Sequence, residues 1–159
     1  MMQGLHESTV VLRDARREDV AAIVRLLADD PLGAQREVVS DPVADEYMTA
    51  FDELTAQAGN GVIVAELDGD VVGCLQLAIV PGLSRRGAKR AFIEGVRVSS
   101  RHRSHGIGQL LVKEAIARAR TASCTLVQLT TDNSRTDAHR FYERLGFSAT
   151  HIGYKLHLD

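Results

Sequence analysis

The stretch Val96-Arg97-Val98-Ser99-Ser100-Arg101-His102-Arg103-Ser104-His105-Gly106-Ile107-Gly108-Gln109-Leu110-Leu111 decides the fold of this chain. It begins as a strand, passes through a basic turn that contains glycine, and continues into a helix. The helix is indicated by apolar residues at helical spacing, namely Leu111, Val112, Ala115, Ile116, Ala119 and Ala122. A strand, a turn and a helix start therefore follow one another without interruption.

The turn before this helix has the properties of an anion site. The first N–H groups of a helix lack intrahelical partners, and the positive end of the helix dipole lies beside them. Gly106 and Gly108 would let a bulky anion such as phosphate approach the backbone, and Arg101 and Arg103 add positive charge. An ordinary connection with a solvated basic turn is the alternative, and the turn alone does not decide between the two.

Two well-known phosphate loops do not fit this turn. A Walker loop requires a lysine directly after its last glycine, and a dinucleotide loop requires a third glycine where this chain has Leu111. The remaining pattern, R-x-x-G-x-G from Arg103 to Gly108, resembles the loop that binds the pyrophosphate of acyl-CoA in the GNAT superfamily of N-acetyltransferases.

A second motif lies near the C-terminus, where the chain reads Phe141-Tyr142-Glu143-Arg144-Leu145-Gly146-Phe147. The helical spacing of Ala138, Tyr142 and Leu145 predicts a short helix that packs on a sheet and closes at Gly146, with Tyr142 in the core. The run is also similar to a GNAT signature whose tyrosine protonates the departing CoA thiolate, so the resemblance implies that Tyr142 is the general acid. The run from Asn133 to Tyr142 looks like that of aminoalkylphosphonate N-acetyltransferases.

Glu94 is the candidate general base. Strict alternation places it on one face with Phe92, Val96 and Val98, and places Ile93, Gly95 and Arg97 on the other face. A carboxylate among apolar neighbours is either ion-paired, for example with Arg90, or desolvated, and desolvation suits a base that works near neutral pH. The run from Ile93 to Val98 resembles the GNAT strand whose acidic residue takes a proton from the acceptor amine through water.

The resemblance also implies the remaining site residues. Strand amides near Val96 and Val98 would polarise the thioester carbonyl. The acetyl-CoA site would be completed by Arg103, Ser104, His105, Gly106, Ile107, Gly108, Gln109 and Asn133. Asn133 departs from the family pattern, because the family's asparagine often lies seven residues before the tyrosine, where this chain has Arg135. The implied cosubstrate is acetyl-CoA, and the implied reaction needs no metal.

Composition limits the classes of function. The 159 residues, of which 45% are hydrophobic, suffice for a single domain, 1–159. A net charge of −2 gives no general attraction to nucleic acid or to anionic membranes. No apolar run has the length of a membrane span and the N-terminus does not resemble a secretory signal, so we expect a cytoplasmic protein. Cys74 and Cys124 are expected to be buried, reduced thiols.

The order of elements predicts an α/β fold. We expect strands at 9–13, 62–67, 71–80, 90–98 and 125–131, one or two more within 147–158, and helices at 19–27, 43–57, 104–122 and 137–145. Residues 81–89 are predicted to form a mobile loop. This is a mixed sheet of six to seven strands flanked by about four helices, and the order agrees with the GNAT fold, in which the strands on either side of the 104–122 helix separate to admit the pantetheine arm.

The predicted function is transfer of an acetyl group from acetyl-CoA to a primary amine of a small molecule or peptide. We expect the acceptor to bind at the connection between the first two helices and at the 81–89 loop. An excess of acidic residues within 29–53 either attracts a cationic amine or is a solvated surface. A non-catalytic, acyl-CoA-binding regulatory module is the alternative function. A homodimer through the C-terminal strands is compatible with the sequence.

Overall fold

The computed structural model describes residues 9–158, which form two compact units, 9–128 and 129–158. The strands are β1 (Val11–Asp14), β2 (Asn60–Leu67), β3 (Asp70–Val80), β4 (Arg90–Val98) and β5 (Leu126–Leu129). They lie side by side in chain order, and the neighbours from β1 to β4 are antiparallel. A crossover helix connects β4 to β5, as a parallel pair requires, so the sheet is mixed.

The β2–β3 hairpin is the most regular part of the sheet and confirms its prediction. Leu67 pairs with Asp70, which leaves Asp68 and Gly69 as the two central residues of the turn. Their φ angles are 52° and 84°. Two positive φ angles define the type I′ turn, whose twist matches that of the paired strands and for which Asp-Gly is a preferred sequence.

The helices are α1 (Val20–Leu27), α2 (Gly33–Arg36), α3 (Asp45–Ala56), α4 (Ser84–Gly87), α5 (Ile107–Thr121) and α6 (Thr136–Arg144). Both α2 and α4 are single turns of four residues. In α4, Arg85 and Arg86 have left-handed backbone angles, with φ of 54° and 63°. None of the helices within residues 9–158 combines the length and apolar character that crossing a bilayer demands.

The helix α5 packs closely on one face of the sheet. Its inward residues are at most 1% exposed: Leu111, Val112, Ala115 and Ala119. Gly73 of β3 lies beneath the helix, and a Cβ at this position would stand 3.1 Å from Leu111 Cδ1 and 3.2 Å from Ile107 Cγ2. The glycine therefore lets the first turn of α5 approach the sheet. On the other face, Leu26 of α1 packs against Val64 and Cys74.

A buried carboxylate fastens the start of α1 to the sheet. Asp19 is 7% exposed and accepts hydrogen bonds of 2.7 and 3.0 Å from the Arg13 guanidinium of β1. It also accepts one of 2.7 Å from the Arg16 N–H. The Arg13 hydrogen bonds lower the pKa of Asp19, against the opposing effect of burial. Arg13 also donates to Glu66 of β2 at 2.8 Å, so the cluster joins β1, β2 and the start of α1.

Several predictions of elements require correction. Residues 9–158 contain five strands and six helices, in place of six to seven strands and about four helices. The helix predicted from 104 begins at Ile107, because Ser104 and Gly106 have φ of 66° and 79°, which a right-handed helix does not allow. Residues 147–158 contain no strand, although they carry a strand-like pattern, because a strand also needs a paired neighbour.

Neither cysteine forms a disulfide. Cys74 is buried, as predicted, and burial raises the pKa of its thiol to about 12. Cys124 is only half-buried, so the prediction of burial is wrong for this residue. It lies between the end of α5 and the start of β5, where the chain runs near the surface.

Candidate active site

A β-bulge in β4 determines which side chains share a face with Glu94. Cys74 and Gln76 of β3 are two residues apart, yet they pair with Arg97 and Glu94, which are three residues apart. The strand β4 therefore contains one extra residue at this point, and Gly95 within the bulge has a φ of 60°. Beyond Gly95 the predicted alternation is wrong, because the bulge places Arg97 on the face of Glu94.

The bulge moves Val98 as well. Val98 pairs with Gly73, which faces Leu111 of α5. Val98 therefore lies on the face covered by α5, opposite to the face of Glu94. The expected grouping of Glu94 with Val96 and Val98 on one regular face does not hold.

Glu94 is exposed, so the desolvated environment, one of the two alternatives expected for it, does not apply. Its neighbour across β3 is Gln76, whose Nε2 donates to Asn60 Oδ1 at 3.2 Å. The three side chains lie on the face that packs against α1, with Asn60 displaced two residues along the sheet from the Gln76–Glu94 pair. Arg90, the expected ion-pair partner of Glu94, donates to Ser84 Oγ at 2.6 Å. Glu94 thus lies across from one carboxamide, that of Gln76, in an accessible position.

The connection after α1 is tied to the end of β4 and to the loop that follows it. Arg97 Nε lies 3.2 Å from Asp30 Oδ2, and both side chains are largely buried. The Ser100 N–H donates to Asp29 Oδ2 at 2.8 Å, and Arg103 Nη2 donates to the Asp29 carbonyl at 2.6 Å. The Arg103 guanidinium, expected on the CoA pyrophosphate, therefore holds this connection in place.

The loop from Arg103 to Gly108 has the geometry of an anion site. Gly106 precedes the helix with φ of 79° and ψ of 4°, and no side chain caps the start of α5. The Leu110 N–H donates to the Gly106 carbonyl at 3.1 Å. The earlier N–H groups, those of Ile107, Gly108 and Gln109, have no intrahelical acceptor by the geometry of a helix start. Ser104, His105 and Gly106 are exposed, so an anion can reach these groups.

In the second unit, the end of α6 fixes the position of Tyr142. The Phe147 N–H donates to the Tyr142 carbonyl at 3.1 Å and the Gly146 N–H donates to the Glu143 carbonyl at 3.0 Å, with a Gly146 φ of 95°. This is a Schellman motif, which commonly carries an apolar contact between the same two end residues. Here the rings of Tyr142 and Phe147 meet edge to face at 5.8 Å, and the ring of Phe141 lies 5.1 Å from Tyr142.

Asn133 lies in a turn organised by Asp132. Asp132 Oδ1 accepts hydrogen bonds from the N–H and Oγ of Ser134, at 2.9 and 2.6 Å. Nε2 of His139 lies 3.0 Å from the Asp132 carbonyl, which also accepts from the Arg135 N–H at 3.0 Å. The ring of His139 therefore closes the turn against α6. Asn133 is exposed at this turn.

The structure thus distributes the expected site residues over the two units. Glu94, Val96, Val98 and the loop residues 103–109 belong to the first unit, while Asn133 and Tyr142 belong to the second. Sequence reasoning missed Asn60, Gln76 and Asp29, because only the strand register and the fold bring them to Glu94 and to the loop. Within residues 9–158, no group of three or more His, Cys, Asp or Glu side chains is arranged to hold a metal ion.

Two solved structures and one characterised relative resemble this chain over most of its length. A Bacillus halodurans C-125 protein described as a transcriptional regulator is 46% identical, with a TM-score of 0.92, covering 94% of this chain and 100% of that one. A proposed acetyltransferase from Agrobacterium tumefaciens str. C58 is 31% identical, with a TM-score of 0.80, covering 93% and 99%. N-alpha-acetyltransferase 30 of Saccharomyces cerevisiae is 28% identical over 134 residues, which is 84% of this chain and 72% of the yeast protein.

The family model described as the acetyltransferase (GNAT) family matches residues 11–147. The match begins at β1, includes the loop before α5, and ends at the Phe147 that closes α6. It therefore includes both motifs on which the sequence prediction rests. This chain belongs to the acetyltransferase (GNAT) family.

Proposed function

We propose that this protein transfers an acetyl group from acetyl-CoA to a primary amine of a small molecule or peptide, and that residues 1–159 act as one domain in doing so. The observation that carries the proposal is the uncapped start of α5 behind residues 103–106, which are exposed, and this arrangement suits the pyrophosphate of CoA. Membership of the acetyltransferase family supports acetyl transfer in general. The donor and the kind of acceptor are our inference.

The proposed CoA site is built from backbone groups more than from side chains. The N–H groups of the first turn of α5 would bind the pyrophosphate, and Gly106 and Gly108 keep the approach clear. Arg103 would hold the loop against Asp29, and its positive charge would attract the pyrophosphate. The strand amides near Val96 and Val98, at and beyond the bulge, would polarise the thioester carbonyl.

The proposed reaction is direct attack by the amine. Glu94 accepts a proton from the amine through water, which suits its exposed position on the sheet face. The amine nitrogen bonds to the thioester carbonyl carbon, the C–S bond breaks, and Tyr142 donates its phenolic proton to the departing thiolate. The contact of Tyr142 with Phe147 supports this role, because it limits the rotation of the ring.

Release of the CoA thiol in the presence of a panel of amines tests the proposal. We expect at least one amine to support turnover. Tyr142→Phe should lower that turnover by about 10²-fold or more while CoA binding is kept. Tyr154→Phe is the matched control, because Tyr154 is 90% exposed in the C-terminal segment and loses the same hydroxyl. Equal turnover by wild type and Tyr142→Phe, with chemistry shown to be rate-limiting, would remove Tyr142 from the mechanism.

A second candidate function is an acyl-CoA-binding regulatory module without catalysis. The observation in its favour is the 46% identity to a protein described as a transcriptional regulator. This function predicts CoA binding at the α5 start with no thiol release for any amine. The same panel therefore separates the two functions, with calorimetry of CoA binding as the second measurement.

The acidic residues within 29–53 serve partly to hold the structure together and partly as free surface charge. Half of the eight take part in contacts within the protein: Asp29 with Ser100, Asp30 with Arg97, Glu37 with Tyr47 and Asp52 with Arg17. Their charge is therefore partly used in holding the structure. Attraction of a cationic amine would rest on the others, Asp41, Asp45, Glu46 and Glu53. A cytoplasmic location and chemistry without a metal remain predictions from the sequence.

A further inference from the structure

The helix α1 covers only part of the sheet face that carries Glu94. Leu26 of α1 packs on Cys74 of β3, which is 2% exposed. Further along the same face of β3, Gln76 is half-buried and Val80, at the end of the strand, is 45% exposed. A strip of sheet face is therefore open to solvent beyond the part that α1 covers.

This open strip joins Glu94 to a cationic end of the sheet. It is formed by two short rows of paired residues, Gln76, Ala78 and Val80 of β3 and Glu94, Phe92 and Arg90 of β4. The register between the two rows is unbroken, so Glu94 and Arg90 lie about 13 Å apart along the strand. Phe92 and Ala78, between the two ends, are half-buried. The open strip thus has a carboxylate at one end, an apolar middle and a guanidinium at the other end.

Arg85 and Arg86 of α4 add positive charge at the far end. The Arg90 Nη2 donates to Ser84 Oγ at 2.6 Å, which holds the α4 loop beside this end of the open strip. Arg85 and Arg86 are exposed, and neither forms an ion pair with any residue that the structure describes. The sequence contains no Asp or Glu within residues 71–93 that could neutralise them locally. Their charge is therefore available to an anionic group of a ligand.

We propose that the acceptor is a peptide with a free α-amine that lies extended along the open strip and carries an acidic side chain about four to five residues from that amine. This inference rests on the acetyl transfer proposed above and names its substrate class. The amine lies at Glu94, which accepts its proton through water. An extended chain advances about 3.3 Å per residue, so the side chains of the fourth and fifth residues come level with Arg90 and the α4 loop. A much shorter amine cannot use both ends of the strip.

A set of peptides in which a single glutamate changes place tests the predicted spacing. Each peptide has a free α-amine and is otherwise uncharged, and the glutamate occupies each position from the second to the sixth in turn. The reference peptide has glutamine in its place. We expect kcat/KM for thiol release to be highest with glutamate at the fourth or fifth position, by about 5-fold or more over the reference. A rate that is independent of the position, or a maximum at the second position, would overturn the proposal.

Charge reversal in α4 tests which residues recognise the acidic side chain. Arg85→Glu combined with Arg86→Glu should reverse the preference, so that a peptide with lysine at the best position becomes the better substrate. Lys113→Glu combined with Arg120→Glu is the matched control, because it makes the same change in net charge at exposed positions of α5, on the other face of the sheet. The control should keep the preference for glutamate. A preference that both variants keep, or that both lose, would contradict the role of α4.

Alanine amide separates a failure of this proposal from a failure of the proposed acetyl transfer. It has an α-amine but is too short to reach the arginines, so wild type and the α4 variant should acetylate it at the same rate. Turnover of alanine amide without any preference among the peptides would remove the open strip from the acceptor site and leave the acetyltransferase proposal standing. A slower reaction of the α4 variant with alanine amide would mean that the loop acts on the chemistry itself, against the proposal. Absence of thiol release with every amine would overturn both proposals.

Discussion

Glu94 is surrounded by residues that are close through the sheet and distant along the chain. Its neighbour Gln76 and the more distant Asn60 are carboxamides, and both become visible only when the strand register is known. Carboxamides can hold a water or an amine beside a carboxylate without competing for its charge. The surroundings of Glu94 therefore suit proton transfer through water better than either the ion pair or the desolvated site that strict alternation left open.

At this residue scale we expect Glu94→Gln to lower kcat/KM by roughly 10² to 10⁴ and to remove the acidic limb of the pH–rate profile. The substitution keeps the shape of the side chain and removes the group that accepts the proton. The measurement is steady-state thiol release across pH with the best amine. Glu18→Gln is the control, because it removes an exposed carboxylate from the turn before α1 and should change neither the rate nor the profile. An acidic limb that survives in Glu94→Gln would belong to another group.

The candidate residues could be identified from the sequence, but their environments could not be predicted from it. The motifs around Tyr142 and Gly106 are local, so their helix end and helix start follow from neighbouring residues. The surroundings of Glu94 depend on one inserted residue in β4 and on pairing with β3. Non-local pairing of this kind leaves no periodic trace in a single strand.

At the scale of elements, the start of α5 is the feature on which CoA binding depends. Gly108→Val should leave the fold intact, since valine is a better helix former than glycine, and its branched side chain should obstruct the anion site. We expect the affinity for CoA to fall by at least about 10-fold. Calorimetry on the folded variant is the measurement. Ala117→Val introduces the same side chain on the exposed face of the same helix and should bind CoA as wild type does.

The ion pair that fastens α1 to β1 predicts a stability that depends on pH. The pKa of Asp19 is lowered in the folded state, chiefly by its hydrogen bonds with Arg13. A lowered folded pKa contributes stability that is present above the unfolded value of about 4 and is lost as pH falls through the folded value. Asp19→Asn should therefore cost about 3 kcal/mol at pH 7. The difference from wild type should shrink below about pH 4.

Urea unfolding at several pH values measures this dependence. Asp52→Asn is the matched control, because Asp52 also pairs with an arginine, Arg17, but both side chains are more than half exposed. Solvent screens such a pair, so its loss should matter much less than the loss of Asp19. Equal losses from the two substitutions, or a gap between wild type and Asp19→Asn that does not narrow as pH falls below about 4, would contradict the role given to Asp19.

At the scale of the whole molecule, the fold could be predicted for those elements whose own residues specify their structure. The β2–β3 hairpin has a turn sequence that specifies its geometry, and β4 was placed at its observed bounds because it is long and bounded by polar residues. The number of strands was not predictable. The segment Ile152–Leu158 carries the alternation of a strand, yet alternation states only which face is apolar and does not supply a neighbouring strand for pairing.

The bulge in β4 also has a consequence for anyone who aligns or redesigns this sequence. It shifts the side-chain alternation by one residue, so the residues up to Glu94 follow one alternation and those from Arg97 follow another. Deleting Gly95 would remove the bulge, and Glu94 and Arg97 would then lie two residues apart on one face of a regular strand, so the Arg97 guanidinium would still face Asp30. A gap of one residue at the bulge therefore keeps both faces of the strand, whereas a gap elsewhere in β4 would exchange the inside and the outside of the strand that leads to the proposed CoA loop.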